Sequence, residues 1–460
     1  MVDLSPAVPS MSLLTVSLGL ALSLGCSGSS LDEAVALPGV GTDESTTMGA
    51  DDGVAMSTGG AESGAEDPVP GVCAPGCQIT LPPDWVYEGD DDPNRFEPGT
   101  HRVPGLLRDP DGNLLVADQR GDWSTLISLD PQGRLRWHRP LPLGCDLCTL
   151  NGMSWHPEGE LMLSATGWAI DGGFSLLAGR YDVEADALVW ETTSPLFFHD
   201  GTANRGGEIT VVSDILTAQI FQWRPAGAGK QQITSLMIYG VDGVAIESPV
   251  LSSDINQQVH WPFMVRTTGA GDVVAAYPRG FDTNAYGVIE RIPVPFWGAG
   301  FNRSVADPFD DIEIDDRDHT LELFHTFDGE AMRAVLLDRE STDFETTWAA
   351  TVKIPSRVDG RGSLAIGPQG ELYAVYQSYQ AVEVPPETPP ELSPEPLSGL
   401  TFVRWSPQGD QRWVTTVLMD LTWSPSPPAM LVDDDGGIVV ASIVDDRLRV
   451  ERRTQRCACP

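Results

Sequence analysis

Lysine is almost missing from this chain: only Lys230 and Lys353 occur, and no Lys or Arg precedes Arg95. With 66 acidic against 28 basic residues, the formal charge is −38 at pH 7. A surface of that sign repels phosphate backbones and anionic headgroups, so nucleic acid is excluded as a partner. Long apolar runs are missing as well. The longest, residues 13–24, falls short of the ~20 residues that a spanning helix needs. There is no Walker loop, no GxSxG elbow and no HExxH, the motifs of phosphate cradles, serine hydrolases and zincins. What remains is ordinary for a chain that buries a core: 41% hydrophobic and 20% charged residues.

The run 13–24 has the length of a signal-peptide apolar region. It ends in Leu22-Ser23-Leu24-Gly25-Cys26, which resembles a bacterial lipobox. The resemblance implies lipidation of Cys26 and export to the bacterial envelope, at the outer membrane or cell surface. Ser23 stands where lipoboxes prefer Leu, and no basic residue precedes the run. Residues 27–72 carry Gly, Ser, Thr, Ala and acids but no Lys, Arg or aromatic residue. Such a stretch buries too little apolar surface to offset chain entropy, and reads as a disordered acidic tether. The chain therefore divides into a signal peptide at 1–25, a lipidated Cys26 with its linker to residue 72, and one folded domain at 73–460. The lipid is the expected membrane contact, and the folded part is expected to be monomeric.

The folded part repeats. A polar turn followed by an apolar run recurs at Asp109-Pro-Asp-Gly-Asn-Leu-Leu-Val-Ala-Asp118 and His156-Pro-Glu-Gly-Glu-Leu-Met-Leu-Ser-Ala165. Further copies start at Asn204, Thr268, Asp316, Gly367 and Asp433. A period near 50 residues, with strand and turn chemistry and no helix pattern, is that of four-stranded blades. The expected fold is all-β: a single β-propeller of about seven four-stranded blades. The two longest intervals between copies, 64 and 66 residues, hold insertions. The Pro-rich stretch 384–396 is the clearest and reads as an extended, solvated loop.

A second turn follows in most units, as at Asp130 to Trp137, Asp182 to Trp190 and Trp405 to Trp413, making an outer hairpin that ends in Trp. At these residues the chain resembles the quinoprotein-type (PQQ-like) propeller repeat, with Asp in a turn and Trp about eight places on. The Thr-Gly of that turn is absent. The resemblance implies blade docking by Trp, not cofactor binding, and no cofactor is expected.

Excluding Cys26, six cysteines remain, an even number that suits disulfides in an exported chain. The last unit offers three clear strands, so its fourth is expected from 78–81, antiparallel to 447–454. That would set the two chain ends side by side. Cys73 and Cys77 are then expected to pair with Cys457 and Cys459, in an order left open, and Cys145 with Cys148.

In a propeller the start of each innermost strand opens at a mouth of the central channel. The residues 7 to 11 places before each turn glycine include His101, Asn151, His199, Asp200, His260 and Arg361. Histidines meeting across a mouth can relay protons, ligate a metal or act as nucleophile. His199-Asp200 and His260, with Arg279 after it, also resemble segments of bacterial arylsulfotransferase propellers. That resemblance implies His199 or His260 as nucleophile, with Arg279 or Arg333 on the sulfate oxygens. Phe324 to Arg333 departs from the family where it carries its own arginine segment. Acid clusters at 90–92, at Asp310-Asp311 with Asp315-Asp316, and at 433–435 are where Ca²⁺ would sit, but none completes an EF-hand loop, and no metal site is assigned. The reading is an envelope-anchored binding or scaffold propeller that meets a protein or small molecule at its mouth. An arylsulfotransferase-like enzyme is the alternative.

Overall fold

The structure, a computed structural model, describes Cys73, residues 77–89 and residues 101–459 with internal gaps, the longest at 381–396. Among the described residues every regular element is a strand, and no helix is long and apolar enough to cross a membrane. The strands form successive antiparallel sheets in a β-propeller arrangement. The first holds His101–Arg108, Leu114–Arg120, Trp123–Leu129 and Leu135–Pro140, in that order from the inside out.

The innermost strands touch one another around a closed circuit: His101–Arg108, Cys148–Trp155, Arg205–Ser213, Met264–Thr267, Phe309–Ile314, Arg357–Ile366, Ala429–Val432, and back to the first. Six sheets have four strands, and the one that starts at Arg205–Ser213 has five. Its two outer pieces, Ala245–Glu247 and Val250–Ser252, both lie on the edge of Ile233–Gly240 and continue one another along it. They are one outer strand in two parts.

Second strands such as Leu114–Arg120 and Val273–Arg279 are almost wholly apolar where their turns end, because neighbouring sheets cover both faces. Each apolar cluster accordingly joins two adjacent sheets. Leu115, Leu126 and Leu150 meet Leu163 and Tyr181 between the first two sheets; Val116 and Leu129 meet Val439 and Val450 between the first and the last.

The last sheet is completed by an N-terminal strand, but not by the residues expected. Pro83–Glu88 pairs antiparallel with Arg447–Arg453, whereas Gln78–Thr80 pairs with Arg456–Ala458 in a separate ribbon. The reason is in the side-chain alternation. Trp85 and Tyr87, two residues apart, both turn onto the cluster of Leu448 and Val450. Ile79 and Leu81 instead reach the cluster around Trp413 and Leu421. The ribbon is stapled by Cys73–Cys457 and Cys77–Cys459, which joins the two ends as expected and gives their order. Cys148 is disulfide-bonded too; Cys145, its expected partner, lies outside the described residues, as do Cys26, the tether and the Pro-rich insertion.

One repeat copy was out of phase. The segment from Asn204 was expected to be a turn followed by a second strand, yet Arg205–Ser213 is an innermost strand and its turn is at Asp214 and Ile215. Gly206 and Gly207 serve close approach instead of a turn. A Cβ on Gly207 would stand 2.5 Å from Cβ of Phe263 in the neighbouring sheet.

Candidate functional site: the central channel

The circuit of innermost strands encloses a cavity of about 800 Å³. All of them contribute to its wall, from Arg102 on the first to Met430 on the last. In five of these strands the register slips, at Arg102/Gly105, Leu150/Gly152, Gly206/Ile209, Phe309/Asp311 and Val358/Gly362, and in the third of the circuit it slips again at Val211/Ser213. Bulges of this kind re-aim the extra residue out of the regular alternation. Asn151, Glu208 and Asp310 sit in the slipped stretches and line the cavity. Arg361 occupies the same register position, but its side chain lies outside the described set.

The densest charge in the wall surrounds Arg266. Its Nη1 donates to Glu208, its Nη2 to Asp311 Oδ1 at 3.2 Å and its Nε to Glu313 Oε1 at 3.2 Å. Asp311 is further fixed by the backbone N–H of Ile312 at 2.9 Å and of Leu364, in the next sheet, at 2.8 Å. One guanidinium therefore serves three carboxylates. Burial lowers the pKa of Arg266, but the pull of Glu208, Glu313 and Asp311 outweighs it and holds the pKa well above the ordinary guanidinium value. For Asp311 and Glu313 burial is again the largest effect and raises both carboxyls. The shared Arg266 does not fully offset it, and the neighbouring carboxylates push the same way. These side chains keep 12 to 30% of their surface open to the channel, so solvent screens the interactions.

Arg102 stands elsewhere on the wall. Burial pulls its pKa below the ordinary value, and among the described residues no hydrogen bond or ion pair holds it.

Of the residues expected at the mouth, Asn151 lines the cavity, its Nδ2 donating to Thr166 Oγ1 at 3.3 Å. His101 does not. It is 6% exposed and wedged between sheets, Nε2 meeting Asp118 Oδ1 at 2.5 Å and Nδ1 meeting the Asp446 carbonyl at 3.0 Å. A histidine that starts an innermost strand can point into the neighbouring interface as readily as into the channel, and here it points into the interface. His199, Asp200 and His260 lie outside the described residues. Arg279 ends the second strand Val273–Arg279, opposite Tyr286, while Arg333 pairs with Phe324 inside Ala331–Leu337. The two arginines are thus not at equivalent places in their sheets. Asp310 and Asp311, read as part of a Ca²⁺-type acid cluster, face the channel, whereas Asp315 makes a turn with His319.

The sequence reading missed Arg102, Glu208, Arg266 and Glu313, and took Asp311 only as part of an acid cluster. A signal existed: charges at alternate places just before a turn, as in Asp311-Ile312-Glu313-Ile314, interrupt strands that should be apolar. His156, Glu158 and Glu160 also converge, but Arg180 already pairs with both glutamates there.

No protein-family model and no curated protein matches the chain. Among solved structures, it is similar to the hydrazine synthase of Kuenenia stuttgartiensis at 11% identity, over 76% of this chain and 79% of that one, with a TM-score of 0.32. It is similar to YCF48 bound to D1 peptide at 10% identity, over 83% and 97%, with a TM-score of 0.42. A protein from Lactobacillus plantarum is 10% identical over 71% and 86%, with a TM-score of 0.45. These likenesses carry no argument about the site.

Proposed function

We propose that this chain is a ligand-binding propeller of the bacterial envelope, tethered through a lipid on Cys26 and holding a protein or small molecule in its channel. The five-stranded sheet, whose outer strand is in two parts, counts as a blade in this reading and brings the ring to seven. The observation that carries the reading is the charged cavity of about 800 Å³. Its size lies within the range of small-molecule sites, and it combines apolar walls with a few placed charges. Quinoprotein-type packing is supported by the way outer-strand tryptophans cover the next sheet. Trp85 lies on Gly133, Trp190 on Gly243 and Trp348 on Gly409.

Native mass spectrometry of protein extracted gently from its own envelope tests the channel reading. Wild type should carry added mass that is lost in Leu431→Trp, which fills the cavity; a bare chain in both would sink the reading. Radiolabelled palmitate incorporation, absent in Cys26→Ala, tests the anchor. A sulfuryl-transfer reading through His199 or His260 is favoured by one feature only, the place of Arg279 at the end of a second strand, level with the starts of the innermost strands. Phenyl sulfate turnover in wild type, lost in His199→Ala or His260→Ala, would promote it over pure binding.

A further inference from the structure

We propose that Arg102 is the receptor for a carboxylate, and that the channel ligand is a monovalent organic acid with an apolar body. The inference rests on the channel-binding reading above and adds the chemistry of the ligand.

Among the described residues, interior arginines elsewhere are paired. Arg180 meets Glu158 and Glu160, Arg266 meets three carboxylates, Arg404 meets Glu371 at 2.6 Å and Arg453 meets Glu451 at 2.6 Å. In a chain with 66 acidic residues a partner is easily found, yet Arg102 has none among the described residues while it lines the cavity. A partly buried guanidinium costs desolvation that only a counter-charge returns. Its planar fork matches a carboxylate with two parallel hydrogen bonds.

The surroundings narrow the class further. Ala429–Val432 and Cys148–Trp155 flank the strand of Arg102, and bring Met430, Leu431, Leu150 and Met153 to the wall, all apolar. They suit a hydrocarbon or aromatic body. Farther around the circuit, Glu208, Asp311 and Glu313 outnumber Arg266. Where these carboxyls are ionised, that surplus of negative charge works against a dianion such as a phosphate ester and leaves a single carboxylate favoured. A free organic acid and the C-terminus of an apolar peptide share this chemistry.

Calorimetric titration distinguishes the two sources. The probes are 4-phenylbutyrate, its neutral amide, phenyl phosphate, and an acetylated apolar dipeptide with a free or amidated C-terminus. Both free acids, or one of them, should bind wild type. Arg102→Gln should weaken that binding at least ~10-fold, and Arg102→Lys less. The amides should bind weakly and equally to all three proteins. Equal affinity of the acids for wild type and an Arg102→Gln variant with an unchanged melting temperature would overturn the assignment, as would binding of neither acid. Added mass in the envelope-extracted protein that persists in Arg102→Gln but vanishes in Leu431→Trp would sink the carboxylate proposal alone. A bare wild-type chain would remove the channel reading beneath it.

Discussion

Gly409 lies beneath the indole of Trp348: a Cβ at Gly409 would stand 2.6 Å from Cδ2 and Cε3 of that ring. The glycine is in the outer turn of one sheet, at φ +85°, and the tryptophan is on the outer strand of the sheet before it. The indole Nε1 also donates to the Pro407 carbonyl at 3.1 Å. Trp413 repeats the arrangement one step on, its Nε1 donating to Gln455 Oε1 at 2.8 Å beyond the end of Arg447–Arg453. These contacts hold the sheet of Trp348 onto the one after it, and that sheet onto the last, at the rim.

Gly409→Ala should therefore combine backbone strain with a clash. Gly159 is the control, since it has φ +91° and nothing within 4 Å of its would-be Cβ. Gly159→Ala pays strain alone, about 1 kcal/mol, whereas Gly409→Ala should lose about 1 to 3 kcal/mol more. Urea denaturation of the two variants measures the gap. Equal losses would mean that the indole yields without cost.

Gln219 should be among the least replaceable polar residues. It is fully buried, its Nε2 donating to Ser164 Oγ at 2.6 Å and to the Leu177 carbonyl at 2.9 Å, while Tyr239 donates to its Oε1 at 2.7 Å. Ser164 passes the chain on to the Gly207 carbonyl, so the amide bridges two sheets. Gln219→Leu keeps the volume but strands a tyrosine hydroxyl and a carbonyl, and should cost about 2 to 4 kcal/mol. In Gln219→Leu/Tyr239→Phe the hydroxyl is gone as well. If that double variant is no more stable than the single one, the bridge is not what Gln219 supplies.

The ring was legible in the sequence because its turns must be polar and its middle strands apolar at a fixed interval, as Asp109 to Asp118 and Gly367 to Tyr376 show. The staple was legible because antiparallel pairing of the two chain ends sets Cys73 and Cys77 beside Cys457 and Cys459. The third unit was misphased because Gly206-Gly207 answers to close packing against Phe263, which in sequence looks the same as a turn. The channel charges showed in sequence only as interruptions of the apolar pattern, and their convergence on one wall was not legible. Which way a residue faces beside a bulge depends on where the register slips, and that slip is set by the neighbouring strand. His101 illustrates the point: one place before Arg102 in the chain, it turns into the sheet interface while Arg102 lines the cavity.

The carboxylate cluster should make stability depend on pH in a stated direction. Asp311 and Glu313 have raised values in the fold, against ordinary values of 3.8 and 4.5. The folded protein thus holds protons that the unfolded chain has released. Their stabilising effect is complete below the ordinary values and declines as pH rises through them toward the raised folded values. Asp84, lowered in the fold by Thr454, Arg452 and Arg456 despite its partial burial, acts oppositely; its contribution is present above 3.8 and lost as pH falls below it. Glu313→Gln should flatten the decline above pH 4.5 while retaining an acceptor for Arg266. Urea midpoints from pH 4.5 to 8 check this, and parallel curves for wild type and variant would refute it.

The two disulfides should prove redundant. They span 384 and 382 residues of chain, and the entropic model assigns about 6 kcal/mol to closing such a loop once. With one bridge in place, the second closes only the short circuit between 73–77 and 457–459, where little freedom is left to remove. Cys73→Ser/Cys457→Ser should therefore cost ~1–2 kcal/mol, and so should Cys77→Ser/Cys459→Ser. All four substitutions together should cost several kcal/mol more than the two losses added. The mechanism is local to the closing strand: without a staple, Pro83–Glu88 is held to Arg447–Arg453 by its ladder, by Trp85 and Tyr87, and by the ion pairs Asp84–Arg452 and Glu88–Arg449. Unfolding midpoints of the three variants, with hydrogen exchange on the amides of 83–88, separate this from independent action. Simple additivity of the two single-bridge losses would show that each disulfide works on its own.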